Sequence, residues 1–447
     1  MNSTVEMPLW LLVLLILFAA VTFASHFLFP SVRWFFRRRL ERAVSRLNTR
    51  LQRPIEPFKL ARRHDMIQRL VYDPEVTQAV VDHARRNGVR EDVAFQLARR
   101  FAREIVPSFS AFAYFGLGTR MSRWLTHALY DVKTGRDNDA ALAGIDPDAT
   151  VIFIMNHRSN MDYVLVTMLA ARASALSYAV GEWARVWPLS RLIKSMGAYF
   201  IRRKSRGALY RKVLARYVQM ATEGGVTQAI FPEGGLSLDG ALKPPKLGLL
   251  SYVVQGRSAE AREVVFVPVA INYDRVLEDR VLVEAGRRGD RRFRARMSVV
   301  LGFTARMIWR RLRGSFRPFG TAAVVFGAPV PLSRFGAEPG LEVLANDLMD
   351  RIGRGMPQLF MPLLAKVMLE ADGPMSAEQM DQAVKAAFEA ATDAPRLDPD
   401  EDPQLRAERA RARLAQRGLI RETSEGWSAN PQETALLRYY ANSVGRM

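Results

Sequence analysis

The chain has 447 residues, 49% of them hydrophobic, with a formal charge of +20 and no cysteine. That length accommodates two or three domains, and the missing cysteine excludes disulfides, thiolate zinc sites and a cysteine nucleophile. So positive a charge calls for an anionic partner: nucleic acid, an anionic membrane surface or a phosphorylated substrate.

Between Glu6 and Arg33 no residue is charged, and Leu9 to Ala24 is almost wholly apolar. A run of this length matches the hydrocarbon core of a bilayer, which predicts a transmembrane helix over 8–29. A cleavable signal peptide is the competing reading. The region ahead of the run carries Glu6 and no Lys or Arg, whereas Arg33, Arg37, Arg38, Arg39 and Arg42 follow it. That asymmetry places the downstream side in the cytoplasm and favours a retained anchor. Residues 33–135 read as a helical domain near the membrane, with apolar positions such as Phe95, Ala98, Phe101, Ala102 and Ile105 recurring at helical spacing. The acidic, turn-rich stretch 136–148 reads as a boundary.

From Thr150 onward strand-like runs alternate with helical ones. Strands are predicted at 151–155, 177–180, 198–201, 227–231, 264–272 and 322–326, and helices at 161–172, 187–195, 207–223 and 246–255. This alternation is that of an α/β domain with a largely parallel sheet, in which chemistry gathers where strands end. At the first such end stand His157 and Asp162, on either side of a strand-to-helix turn. On one continuous helix they would lie about 140° apart, so the chain must fold back for Asp162 to reach the imidazole. A carboxylate that fixes one ring nitrogen leaves the other to take a proton. Taken alone the pair reads as readily as a capping histidine and a first-turn carboxylate facing the helix dipole.

Three further stretches accompany it. G-A-Y-F-I-R-R, from Gly197, delivers Arg202 and Arg203, guanidinium groups suited to phosphate, although a solvated basic loop is the alternative. I-F-P-E-G-G-L-S-L-D-G, from Ile230, carries Glu233, Gly234, Gly235 and Ser237, with Lys243 and Lys246 close behind. Ser237 invites a serine-hydrolase reading, but Asp239 stands where G-x-S-x-G requires its second glycine. V-V-F-V-P-V-A-I-N-Y, from Val264, is an apolar strand whose Pro268 cannot donate to a ladder, which predicts a bend or an edge there.

Arg280 to Arg317 is densely basic and contains a helical pattern over 297–313, read either as an interfacial helix on anionic lipid or as an ordinary packed helix. A Leu- and Met-rich helix follows the last strand up to about residue 370. Residues 373–447 read as a separate module, with an acidic, proline-rich linker at 393–403 and helices at 404–417 and 434–444. The five histidines are far apart in sequence and no metal-ligand spacing occurs, so no metal or other cofactor is implied.

Four blocks in this order resemble the glycerolipid acyltransferase family, and most closely its glycerol-3-phosphate branch: H-R-S-x-x-D at His157–Asp162, G-x-x-F-I-R-R at Gly197–Arg203, E-G-G-x-S at Glu233–Ser237, and the strand proline Pro268. L-L-R-Y-Y-A-N-S-V, from Leu436, is similar to a tail segment of that family. The chain departs from it at Leu236 and Leu238, where glycerol-3-phosphate members usually carry arginine. The resemblance implies an α/β fold with a largely parallel mixed sheet flanked by helices, the acyltransferase domain spanning 150–370. It implies His157 as general base with Asp162 orienting it. Arg158, Ser159, Gly197, Arg202, Arg203, Glu233, Gly234, Gly235, Ser237, Lys243 and Lys246 would bind substrate. The expected partners are acyl-CoA or acyl-carrier protein, glycerol-3-phosphate or lysophosphatidate, and an anionic lipid membrane. The expected location is the cell (inner) membrane, single-pass, with the catalytic domain on the cytoplasmic side. Competing readings are a lysophosphatidate acyltransferase, a non-catalytic basic membrane-surface protein and a membrane-tethered nucleic-acid binder. The last has only net charge behind it, for no base-stacking motif is present, and nucleic acid is not among the expected partners.

Overall fold

The computed structural model describes residues 8–135, 138–171, 174–181, 185–187, 189–202, 207–255, 261–289, 309, 313, 318–336, 340–391, 395, 397 and 401–444. Of the side chains between Leu9 and Asn48, those of 20–37, 40 and 41 are not described. The chain divides into two compact units, Met1–Pro54 and Ile55–Met447. The first is built on one 40-residue helix, Leu9–Asn48. Among the described residues no helix is long and apolar enough to cross a membrane. The side chains of residues 20–29 of the expected span, most of the expected interfacial helix at 297–313 and much of the linker at 393–403 lie outside what is described.

The second unit is organised by an eight-stranded mixed sheet: β1 (Asp131–Gly135), β2 (Thr150–Met155), β3 (Ser177–Val180), β4 (Tyr199–Phe200), β5 (Gln228–Ile230), β6 (Val264–Tyr273), β7 (Thr321–Phe326) and β8 (Val330–Pro331). The order is β1-β7-β6-β2-β5-β3-β4, with β8 also pairing β6. From β6 to β4 all neighbours run parallel, and β7 and β8 lie antiparallel to β6. The α/β expectation therefore stands, with a mostly parallel sheet between helical layers.

The apolar runs are unbroken because both faces are covered. Val151, Phe153 and Met155 of β2 enter one core, while Ile152 and Ile154 enter another on the opposite face, as the two-residue strand period requires. Helices Arg63–Val71, Pro74–Asn87, Glu91–Ile105, Ala208–Glu223 and Leu341–Arg354 contribute to the second core. Helices Thr119–Leu129, Met161–Ala170 and Phe360–Glu370 contribute to the first.

Three features differ from expectation. β1 was read as part of the helical region; its D-V-K-T-G carries too few apolar residues to signal a strand, and it joins the sheet only at the edge, against β7. β6 is not an edge strand: Pro268 sits where its antiparallel neighbour changes from β8, paired at 265–266, to β7, paired from Val269. The missing N–H falls in that gap, so the ladder needs no bend to tolerate it. The C-terminal segment, expected as a separate helical module, shares the first core through Ala407, Leu414, Leu436, Leu437, Tyr439 and Tyr440. It also contains an antiparallel hairpin, Ile420–Thr423 with Gly426–Ala429.

Candidate active site

β2 ends at Met155, and the next residue is clamped sideways: the Asn156 amide donates to the Ile271 carbonyl and accepts from its N–H, both at 2.8 Å. This ties the start of the turn to β6 and fixes where His157 leaves the sheet. The His157 ring lies over Phe231, centroids 4.2 Å apart, and edge-on to Tyr163 at 5.3 Å. Its Nδ1 is 2.9 Å from Asp162 Oδ2. Facing a carboxylate, Nδ1 carries the proton and Nε2 presents its lone pair. Among the described residues no group bonds to Nε2.

Asp162 is fully buried and receives three other donors: the N–H groups of Arg158 at 2.8 Å and Ser159 at 3.0 Å, and the Tyr273 hydroxyl at 2.6 Å. Burial, with the Asp162 charge adding to it, pushes the Tyr273 phenol well above its ordinary pKa, so it remains a donor. Four donors on two oxygens hold the carboxylate in one orientation, and with it the imidazole.

The third block closes over the first. Glu233 accepts from the His157 N–H at 2.7 Å and the Lys243 N–H at 3.1 Å, and the Ser237 N–H donates to the His157 carbonyl at 2.9 Å. Glu233 is 4% exposed, and burial raises its pKa. The Ser237 hydroxyl bonds the Ala241 carbonyl at 2.8 Å, a turn-forming use of the side chain. Gly234, with φ of +67°, leaves space that a Cβ would contest with the Lys246 stem at 2.7 Å. Gly235 is half-buried beside it, and the Lys246 N–H donates to the Pro232 carbonyl at 2.8 Å. The Lys243 ammonium pairs with Asp239. Leu236 and Leu238 pack against the first core.

Of the other predicted residues, Arg158 is 3% exposed and its guanidinium donates to the Gly240 carbonyl and, at 3.4 Å, to that of Ser443. Ser159 is fully buried, bonding Glu278 at 2.7 Å. Both act on the protein's own backbone and side chains, so the geometry makes them positioning groups. Gly197, at φ +89°, lies against Lys59 and Phe109. Arg202 grips Glu104 with Nε at 2.8 Å and Nη2 at 2.6 Å, its guanidinium over Phe101 and Tyr210. Burial pushes the Glu104 carboxylate up, but bonds from Arg202 and Arg185 outweigh this and leave it below its ordinary pKa. β4, which delivers Arg202, lies three strands from β2, about 14 Å at the usual strand spacing. Arg203 lies outside the described residues.

Sequence reasoning missed three groups that build the turn. Asn156 and Tyr273 border quoted motifs and were within reach of it. Glu278 had no sequence signal: its Oε1 accepts from the Asn160 N–H at 2.9 Å and side-chain amide at 2.8 Å, while Oε2 takes Ser159. Burial raises its pKa. Among the described residues no group of His, Asp and Glu is arranged to hold a metal.

An imidazole steadied by a buried carboxylate at the mouth of a parallel sheet is the constellation of a general-base transferase or hydrolase. The comparisons agree in class. Residues 136–272 match the family model described as Acyltransferase, and the chain carries the four blocks that resemble the glycerolipid acyltransferases. It is similar to proteins named glycerol-3-phosphate acyltransferase: 26% identical over 81% of this chain and 46% of the Pseudoalteromonas atlantica protein, and 30% identical over 62% of this chain and 33% of the Pasteurella multocida one. The chain thus spans half or less of the length of these curated relatives. A solved structure, the 1-acyl-sn-glycerophosphate (LPA) acyltransferase PlsC from Thermotoga maritima, is 21% identical, with a TM-score of 0.34 over 57% of this chain and 80% of that one.

Proposed function

We propose that this chain is a membrane-anchored acyltransferase that moves a fatty acyl group from acyl-CoA or acyl-carrier protein to the hydroxyl of glycerol-3-phosphate, in phospholipid biosynthesis. The observation that carries the reading is the His157–Asp162 contact of 2.9 Å inside a cage of donors. His157 Nε2 takes the proton of the acceptor hydroxyl as its oxygen attacks the thioester carbonyl. The tetrahedral intermediate collapses with cleavage of the carbon–sulfur bond, and the imidazolium returns the proton to the departing thiolate. An ester and a free thiol result, and because a thioester is already activated no covalent enzyme intermediate is needed. Asp162 stabilises the imidazolium electrostatically and keeps Nδ1 protonated throughout.

For the acceptor phosphate the reading assigns Arg202 or Arg203 together with Lys243 and Lys246. With Leu236 and Leu238 packed inward, Lys243 and Lys246 are the cations of the third block nearest the histidine turn in sequence. The apolar side chains exposed along Leu9 to Phe18 and the arginines that follow support anchoring through 8–29, with the catalytic unit on the cytoplasmic side of the inner membrane.

A lysophosphatidate acceptor is the second reading, favoured by the same two leucines standing where cations are usual. Purified protein given labelled acyl-CoA, with glycerol-3-phosphate and lysophosphatidate offered in parallel, separates the two. Replacing the relevant arginine is expected to raise KM for the phosphorylated acceptor, and an unchanged KM would move the phosphate site elsewhere.

A further inference from the structure

The turn that leads from His157 into the helix Met161–Ala170 is held from outside by one side chain. Glu278 Oε2 accepts the Ser159 hydroxyl at 2.7 Å, and Oε1 accepts the Asn160 N–H at 2.9 Å and its side-chain amide at 2.8 Å. Asparagine at the start of a helix ordinarily turns its side chain onto the helix's own N–H groups. Asn160 makes no such bond, and its amide goes to Glu278 instead. Ser159 is shared between two carboxylates: its N–H donates to Asp162 at 3.0 Å while its hydroxyl donates to Glu278. The place of Glu278 therefore fixes the direction of a donor that aligns Asp162, and through Asp162 the His157 ring.

Stability does not account for this arrangement. Desolvation raises the Glu278 pKa, and among the described residues no Lys or Arg forms an ion pair with it. A desolvated carboxyl group without a counter-charge adds little to the folded state. The segment that carries it is nonetheless pinned along its length. Arg413 binds Asp274 at 2.7 Å, the Tyr130 hydroxyl donates to the Arg275 carbonyl at 2.8 Å, and the Val276 N–H donates to the Tyr440 hydroxyl at 3.2 Å. Asp279, next to Glu278, is bound by both Arg417 and the Tyr440 hydroxyl. A brace so anchored transmits position, which is what a base needs from its supports.

We infer that Glu278 is a positioning residue for the base: it braces the His157 turn through Ser159 and Asn160, from a segment that the C-terminal helices lock in place. Its kinetic consequence rests on the acyl-transfer reading, whereas its geometric consequence is read without any substrate.

Glu278→Ala and Glu278→Gln in the full chain test it. Glutamine keeps an oxygen for both Asn160 donors and donates to Ser159 Oγ where glutamate accepted from it, so the brace survives with one bond reversed. Two quantities are measured: kcat and KM for acyl transfer, and the downfield proton resonance of the His157 Nδ1–H held against Asp162, assigned by its loss in His157→Ala. For Glu278→Ala the expected result is a kcat lower by roughly 10- to 10²-fold with KM unchanged. The proton resonance should move upfield or broaden away while circular dichroism stays that of the wild type. Glu278→Gln is expected to recover most of both. If Glu278→Ala does not fold, Glu278→Asp, one methylene too short to span Ser159 and Asn160 together, is read in the same way. An unmoved resonance with unchanged kcat in the folded variant would overturn the inference. So would a raised KM at constant kcat, which would make Glu278 a substrate contact. Should the wild type transfer no acyl group, the acyl-transfer reading fails and the resonance alone decides the inference.

Discussion

The role proposed for His157 rests on what surrounds Asp162. Removing the imidazole deletes the proposed base, and a positioned base contributes roughly 10²- to 10⁴-fold in rate. His157→Ala should therefore lower kcat by at least about that factor, read in an acyl-transfer assay beside circular dichroism to establish that the fold persists. Tyr273→Phe removes one of four donors to Asp162 while keeping the ring. A hydrogen bond to a charged acceptor is worth roughly 1.5–3 kcal/mol; if about 1.4 kcal/mol of that reaches the transition state, kcat falls about tenfold. As a positioning effect this should appear in kcat and leave KM unchanged; an unaltered kcat would contradict it. Glu233 supplies a pH prediction. Burial raises its folded-state pKa above the ordinary value of 4.5, so the folded chain holds a proton that the unfolded chain has released. Its share of stability is fully present below that ordinary value and is lost as pH rises through the folded-state pKa. Glu233→Gln should flatten the dependence of Tm on pH above 4.5, at the cost of the bond to the Lys243 N–H, where the new amide would meet a donor.

At the scale of elements, the third block and the C-terminal helix Thr434–Ala441 interlock at one glycine. Gly240 has φ of +83°, and a Cβ there would stand 1.8 Å from the Tyr439 carbonyl oxygen, a backbone atom that cannot step aside. Gly240→Ala should cost about 3 kcal/mol or more by combining backbone strain with displacement of a packed helix, seen as a large fall in Tm. Leucine at the same position could do no better. The elements that carry the site were legible because β2, β4 and β5 lie in apolar runs that end in a polar motif. Two signals were too short or too polar: β1, D-V-K-T-G, and β8, only Val330–Pro331. Pro268 announced an irregularity correctly, but which irregularity depended on two neighbours, β7 and β8, that periodicity along β6 cannot reveal.

For the whole unit from Ile55 to Met447, the least legible feature was closure. His157 and Asp162 are five positions apart and could be paired from spacing, whereas Tyr273, at the end of a quoted block, and Glu278, which nothing nearby marks, reach the same turn from 111 and 119 residues away. The C-terminal segment was hidden for the same reason. No spacing along the segment marks its arginines, yet Arg413 binds Asp274 at 2.7 Å and Arg417 binds Asp279 and the Tyr440 hydroxyl. The segment should accordingly unfold with the sheet. Hydrogen exchange is expected to give the amides of Leu436–Tyr440 protection comparable to those of β6, and markedly faster exchange there would mean an independent module.

The central claim is acyl transfer from a thioester by His157, and the most direct test is transfer of labelled acyl from acyl-CoA, and in parallel from acyl-carrier protein, to glycerol-3-phosphate or lysophosphatidate by the purified full chain. The account predicts an ester of glycerol-3-phosphate formed by the wild type and reduced by at least about 10²-fold in His157→Ala. Acylation of lysophosphatidate alone would reassign the acceptor. No transfer from either donor to either acceptor, or equal rates in wild type and His157→Ala, would contradict the account.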